Sequence, residues 1–332
     1  MRILPISGRL TTLYYGLMNR AFDRETRAVM AGRQVFERNR QAPEETSSIL
    51  RRNTHRLEKG LLMRPRRSIF ALDYIEETVN AYVFLVNREH KGNTDRSNEI
   101  KWAHDVLTEY FRVTQSHPKI QPLRQTFEAH HKSEADAADM SIPYRRASKS
   151  FHIPSFDALH DLARQRRSVR WFQDKPVDRD LVYQALEVAT QAPSACNRQP
   201  FFIRLFDDPE LIRQVAVLPG GTKGFAQNFP MVAVVIGELR NYYSERDRHL
   251  IYIDSSLAVM GFIFALETLG LSSCCINWPD LDDAENKARK VLRLEPDQRP
   301  IMFLAIGHAD PDGLVAFSQK KSPRELARFN FE

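Results

Sequence analysis

The segment APSACNRQP (residues 192–200) combines small side chains, two amides, one hydroxyl and two prolines, with no acid and no histidine. That set builds neither a nucleophile–base pair nor a metal site. It supplies neutral backbone and amide hydrogen bonds at close range to a ligand. Upstream, RQRRSVRWF (164–172) gathers Arg164, Arg166, Arg167, Ser168 and Arg170. Guanidinium forks beside a hydroxyl suit a phosphate dianion, whose oxygens they bind bidentately and at full charge. Near the C-terminal end, FSQKKSPREL (317–326) adds Lys320, Lys321 and Arg324. Taken singly, each basic cluster is also an ordinary solvated surface.

The elements that must position these groups differ between the two halves of the chain. TTLYYGLMNRAFDRETRAVMAGRQVFERNR, IFALDYIEETVNAYVFLV and IKWAHDVLTEYFRVTQ keep apolar residues at three- and four-residue spacings, which predicts helices. A polar stretch around residues 130–150 follows. Beyond it, short apolar runs (FFIRLF, PMVAVVIG, SSCCINW, PIMFLAIGHA) alternate with helical patterns. One is DRDLVYQALEVATQ, with Asp178 as N-cap and Leu181, Ala185, Leu186 and Ala189 on one face; another is an apolar helix over 250–269. The expected architecture is α+β: an all-helical domain over 1–140, then a three-layer α/β/α sheet domain over 150–332.

Composition sets outer bounds. At 332 residues the chain has room for about two domains. Three cysteines, two of them adjacent, neither form a disulfide framework nor have zinc-ligand spacing, which favours a cytoplasmic setting. Residues 1–150 hold 26 basic and 18 acidic side chains, a net +8; residues 151–332 hold 22 and 24, a net −2. The first 22 residues carry Arg2, Arg9 and Arg20 among Leu, Tyr, Met and Phe, with no acid. This suits a helix docked on its own protein, a transit peptide, or a peripheral contact with a membrane surface. Nothing calls for nucleic acid. SSLAVMGFIFALETLGLSSCCINW is interrupted by Glu267 and reads as a buried helix followed by a strand rather than a bilayer span.

RRSVR, PSACNRQP, LGLSSCCI and KKSP, in that order and at those intervals, resemble the FMN-dependent nitroreductase family over residues 155–330. The resemblance implies a three-layer nitroreductase-like fold and a homodimer with its flavins at the interface. It also implies FMN, and NAD(P)H as electron donor for a small-molecule substrate. Carried over by position, Arg166, Arg167, Ser168 and Arg170 hold the phosphate, the ribityl and the pyrimidine side of the ring. Pro193, Ser194, Ala195 and Asn197 contact the ring or ribityl, and Gln199 braces their loop. The segment after SSCCI, at Asn277 or Trp278, supplies main-chain contacts near the flavin N5, while Lys321, helped by Lys320, reaches the phosphate. No protein side chain is expected as a separate catalytic group, and no metal.

Three places depart from the family pattern. Gly261 stands where many members have Asn. The loop LPGGTKGFAQNFP leaves Thr222, Lys223 and Gln227 as alternatives for one polar flavin contact. Trp278-Pro279 replaces small residues and is expected to narrow the pocket. In the helical half, His55, Glu58 and Lys59 share a face ending at Gly60 as C-cap: either a salt-bridged helix end or a lid over the flavin. Cys274 and Cys275 are expected to be buried strand residues, and Cys196 to pack beside the flavin. His130 and His131 are expected on different faces of one helix, which argues against a shared metal site. The leading reading is thus an FMN-dependent oxidoreductase. The alternatives are a non-catalytic flavin-fold scaffold that binds a membrane or protein through its basic half, and an oxidase or dehydrogenase using oxygen.

Overall fold

A computed structural model describes residues 8–41, 48–89, 97–130 and 140–331. The helical half contains α1 (Gly8–Leu13), α2 (Asp23–Gln41), α3 (Ser48–Leu61), α4 (Ile75–Glu89), α5 (Ser97–Val113) and α6 (Ile120–Ala129). The remainder adds α7 (Phe156–Gln165), α8 (Arg179–Ala189), α9 (Pro209–Val215), α10 (Leu250–Thr268), α11 (Asp282–Val291) and α12 (Pro323–Leu326). Its strands are β1 (Phe201–Phe206), β2 (Met231–Glu238), β3 (Ser272–Asn277) and β4 (Gln298–Gly307). They form one antiparallel sheet in the order β1-β2-β4-β3.

MVAVVIG is apolar at every position because β2 is covered on both faces. Val232, Val234 and Ile236 join a core with Phe303, Ala305 and residues of α9 and α11. Met231, Ala233 and Val235 join the opposite core with α8 and α10. These are the three layers expected. Asp178 caps α8 by accepting from Asp180 N, and Val182, Ala185 and Ala189 are that helix's buried residues. By length and apolar composition Glu245–Thr268 also passes as a membrane span, yet half of it is buried inside the protein. Val259, Phe262, Ile263 and Leu266 of α10 lie in the sheet core. At Gly261 a Cβ would meet Val188 O of α8 at an ordinary contact distance of 3.5 Å, so the helix packing there does not require glycine.

The helical half has its own core, centred on Leu57, Val79, Val106, Leu107, Tyr110 and Ile120. It is not detached from the sheet. Ala28 and Val29 of α2 pack with Leu239, Tyr242 and Ile251, and Gly32 lies so close to Leu239 that a Cβ would stand 2.7 Å from it.

The structure corrects several local expectations. The run 11–40 is not one helix: it breaks between Met18 and Asp23. The helix expected from residue 69 begins at Ile75, after a turn in which Ala71 takes φ 65°. Gly60 lies inside α3 rather than capping it. Its hydrogen leaves room for the Phe70 ring, which a Cβ would meet at 2.2 Å. Cys275 is exposed, because alternation along β3 turns it to the sheet face opposite the buried Cys274. His131 and Arg2 lie outside the described residues.

Candidate functional site

Arg166 and Arg167 follow the end of α7, where the chain turns to run beside β3. Val169 N donates to Ser273 O at 3.1 Å, and Ser168 bridges Ser273. Arg170 then enters a cleft of 440 Å³ lined also by Gly220, Gly221, Phe225, Cys274 and Asn277. Asn228 clamps this wall. Its Oδ1 accepts Phe172 N and its Nδ2 donates to Arg170 O, both at 2.9 Å. Neither Asn228 nor its role was visible in the sequence, since it lies 56 residues from Phe172.

Of the three candidates in the 218–230 loop, Thr222 is buried and donates to Ala216 O and Pro219 O, so it holds the loop together. Gln227 donates to Gly224 O at 3.1 Å. Lys223 is exposed. Trp278 does not narrow the cleft: it is buried, stacks on Phe303 with centroids 5.2 Å apart, and donates to Glu285 at 2.9 Å. Pro279 lines the cleft in its place. Burial raises the Cys274 thiol above its usual range, against the pull of Arg170. A larger groove, of 970 Å³, is lined by Thr222, Lys223 and Gln227 of the same loop, but by no residue of the RRSVR, PSACNRQP, SSCCI or KKSP motifs.

Lys320 and Lys321 lie in an exposed arm that leaves β4 and ends in α12, where Ser322 and Glu325 form a reciprocal cap. Arg167 ties this arm down by donating to Ala316 O and Phe317 O. The guanidinium of Arg167 thus holds the arm that carries the lysines.

The loop Pro193–Gln199 sits elsewhere. It enters β1, one edge of the sheet, whereas Arg166–Arg170 and Asn277 flank β3, the other edge. Three strand spacings, about 14 Å, separate the edges. One chain therefore brings Arg170 and Asn277 together but leaves the loop apart from them.

Cys196, Asn197 and Gln199 in that loop have φ of 54°, 53° and 49°, a left-handed conformation that side chains other than glycine and asparagine disfavour. At Cys196 and Gln199 this stores about 1–3 kcal/mol each, so the surroundings must hold them. Gln199 Nε2 donates to Asn197 Oδ1, and Gln199 N to Ser194 Oγ, both at 3.2 Å. Asp254 of α10 accepts Ala195 N at 2.9 Å. From the helical half, Arg51 donates to Arg198 O through Nε at 3.2 Å and Nη2 at 3.0 Å, while pairing with Glu99 at 3.2 Å. The helical half also reaches the segment after β3: Arg24 of α2 pairs with Asp280 at 3.0 Å and Asp282 at 2.7 Å. His55, Glu58 and Lys59 lie towards the C-terminal end of α3. His55 stands 3.4 Å from Glu58, which accepts Trp102 Nε1 at 3.0 Å.

Comparison with known proteins supplies the context. The model of the Nitroreductase family matches residues 163–219 and 216–308. An iodotyrosine deiodinase of Thermotoga neapolitana is 30% identical over 176 residues, covering 46% of this chain and 89% of that protein. An NADH dehydrogenase of Thermus thermophilus is 33% identical over 95 residues, 29% of this chain and 45% of that one. Among solved structures, an FMN-dependent nitroreductase from Clostridium difficile aligns with 51% of this chain and 98% of its own, at 22% identity and a TM-score of 0.44.

Proposed function

Because the chain belongs to the nitroreductase family of flavin oxidoreductases, we propose that it is an FMN-dependent enzyme acting as a homodimer. It takes hydride from NADH or NADPH and passes electrons to a small-molecule acceptor. The observation that carries this reading is the cleft holding Arg170 and Asn277. Its 440 Å³ falls in the range of small-molecule sites, and no carboxylate lines it. A phosphorylated, polar-edged ligand therefore meets a cation and an amide there without a competing anion.

The second copy completes the site. Arg166, Ser168, Arg170, Asn277, Lys320 and Lys321 of one chain hold the phosphate side and one edge of the ring. Pro193, Ser194, Ala195 and Asn197 of the other chain close over the ring, with Gln199 fixing Asn197. Two apolar surfaces support the pairing. Ile253, Leu257 and Met260 form an exposed stripe along α10, and Leu314, Phe317, Leu326 and Phe329 stand out along the C-terminal arm. Exposed apolar area on this scale marks an interface.

When bound, FMN supplies the hydride acceptance and the onward electron transfer. The chain's own residues bind and orient it. Arg166, Arg170 and the lysines neutralise the phosphate, the amides of Asn197 and Asn277 set the ring's hydrogen bonding, and the strained loop keeps small side chains against its face. Anaerobic mixing of the holoprotein with NADH or NADPH tests the assignment. Loss of visible flavin absorbance with either nicotinamide is the expected result. A flavin that neither nicotinamide reduces would overturn the reductase reading and favour the scaffold.

A further inference from the structure

The helical half brings unpaired positive charge to the Pro193–Gln199 loop. Two of its arginines are committed: Arg51 to Arg198 O and Glu99, and Arg56 to Asp73 at 3.0 Å and the Tyr74 ring at 3.5 Å. Arg52, between them on α3, is different. Among the described residues it hydrogen-bonds only to Asn53 Oδ1, at 3.1 Å, and stands 5.5 Å over the Tyr243 ring, with no carboxylate at ion-pair distance. Burial, and then the charges of Arg56 and Arg198, pull its pKa below the usual arginine value, with the more distant Glu77 carboxylate acting against them.

Facing it from the loop, Arg198 keeps only 5% of its side chain exposed. Among the described residues its Nε is buried without a hydrogen-bond partner, and its ion pair with Asp247 is long, at 3.9 Å. Its guanidinium lies 5.0 Å over the Tyr242 ring, and the Tyr242 hydroxyl is likewise buried and unpartnered. The other acid close to Arg198, Asp254, is occupied by Ala195 N. A buried guanidinium with an idle N–H, beside a second one that repels it, is costly unless an anion joins them. An oxyanion accepts forked hydrogen bonds from both and removes the repulsion.

We propose that Arg52 and Arg198 form an anion subsite beside the flavin loop, which receives the carboxylate or phosphate group of the acceptor substrate. The proposal rests on the flavin reading above. The helical half then selects the substrate: α3 adds a charge requirement to a flavin site that the sheet domain builds.

The test is calorimetric titration of the purified holoprotein with 4-nitrobenzoate, with the neutral 4-nitrobenzamide, and with inorganic phosphate. The benzoate is expected to bind about tenfold more tightly than the amide, the worth of one charge-assisted contact. Phosphate competes with it, and Arg52→Gln brings the two affinities within about twofold of each other. Arg52→Lys keeps the charge and restores part of the preference, which separates loss of the subsite from loss of folding. Equal affinities in the wild type, or a preference that survives Arg52→Gln, would overturn the proposal. Phosphate binding that depends on Arg52, with no preference for the benzoate, would assign the site to a free anion and remove the substrate role. Phosphate reads the anion site whether or not flavin is bound, so a flavin-free protein would refute the oxidoreductase reading without silencing this test.

Discussion

Asp254 Oδ2 accepts the backbone N–H of Ala195 at 2.9 Å, tying the second turn of the longest sheet-domain helix to the loop that carries Cys196 and Asn197 in left-handed conformations. Burial raises the Asp254 carboxyl above its usual range, and the Ala195 N–H and Arg198 only partly counter it. The folded protein thus holds this proton more tightly than the unfolded chain does. The stability linked to it is complete below roughly pH 4 and is lost as pH rises through the raised value. Asp254→Asn removes this titration and keeps an acceptor for Ala195. The stability advantage of wild type over Asp254→Asn should therefore shrink as pH rises from about 4 and then level off. Thermal or urea melts of the two proteins across that range check it; an advantage that grows with pH contradicts the assignment. Asp254→Ala also orphans the Ala195 N–H, and should cost about 1–3 kcal/mol.

Arg51 acts from the helical half on the same loop. Replacing it with leucine keeps its packing and removes both hydrogen bonds to Arg198 O. The expected loss is about 1.5–3 kcal/mol of stability, the usual worth of charged hydrogen bonds. FMN retention should fall with it, because the strained loop loses one of its ties. Flavin release by dialysis, measured beside a melt, separates the two effects. Unchanged retention in Arg51→Leu would show that the sheet domain holds the loop alone.

Arg166→Ala and Arg170→Ala should each weaken FMN binding by about 10- to 150-fold, the equivalent of 1.5–3 kcal/mol. Fluorescence titration of the apoprotein with FMN reads this directly. If both variants purify with full flavin, the phosphate side of the site lies elsewhere.

In the proposed dimer the C-terminal arm joins two roles, because Lys320 and Lys321 sit among exposed Leu314, Phe317, Leu326 and Phe329. Removing residues 314–332 should shift the protein to a monomer in light scattering and reduce FMN affinity by about tenfold or more. A truncated protein that stays dimeric would move the interface onto other surfaces.

How much of this was legible in the sequence follows from the range of the interactions. RRSVR, PSACNRQP and the alternation of apolar runs with helical patterns are local signals, and they foretold the family, the strands and the three layers. The apolar run of β2 read as a buried strand because both its faces are covered. Asp254 and Arg51 could not be read. They act on backbone groups 59 and 147 residues away, and an aspartate on an apolar helix or an arginine in a basic one carries no local mark. Gly60 looked like a cap because its real reason, the Phe70 ring, arrives from the following loop. Trp278 looked like a pocket residue because its neighbour Pro279 is one, while the side chain itself turns onto Phe303.

The most direct test of a flavin site shared between two chains is to identify and quantify the chromophore released by heat, with the mass of the native particle measured on the same sample. The account predicts about one FMN per chain in a dimer, the stoichiometry of a cofactor enzyme whose two sites span the interface. A colourless protein that also fails to bind added FMN, or a monomer that retains it fully, would contradict the account.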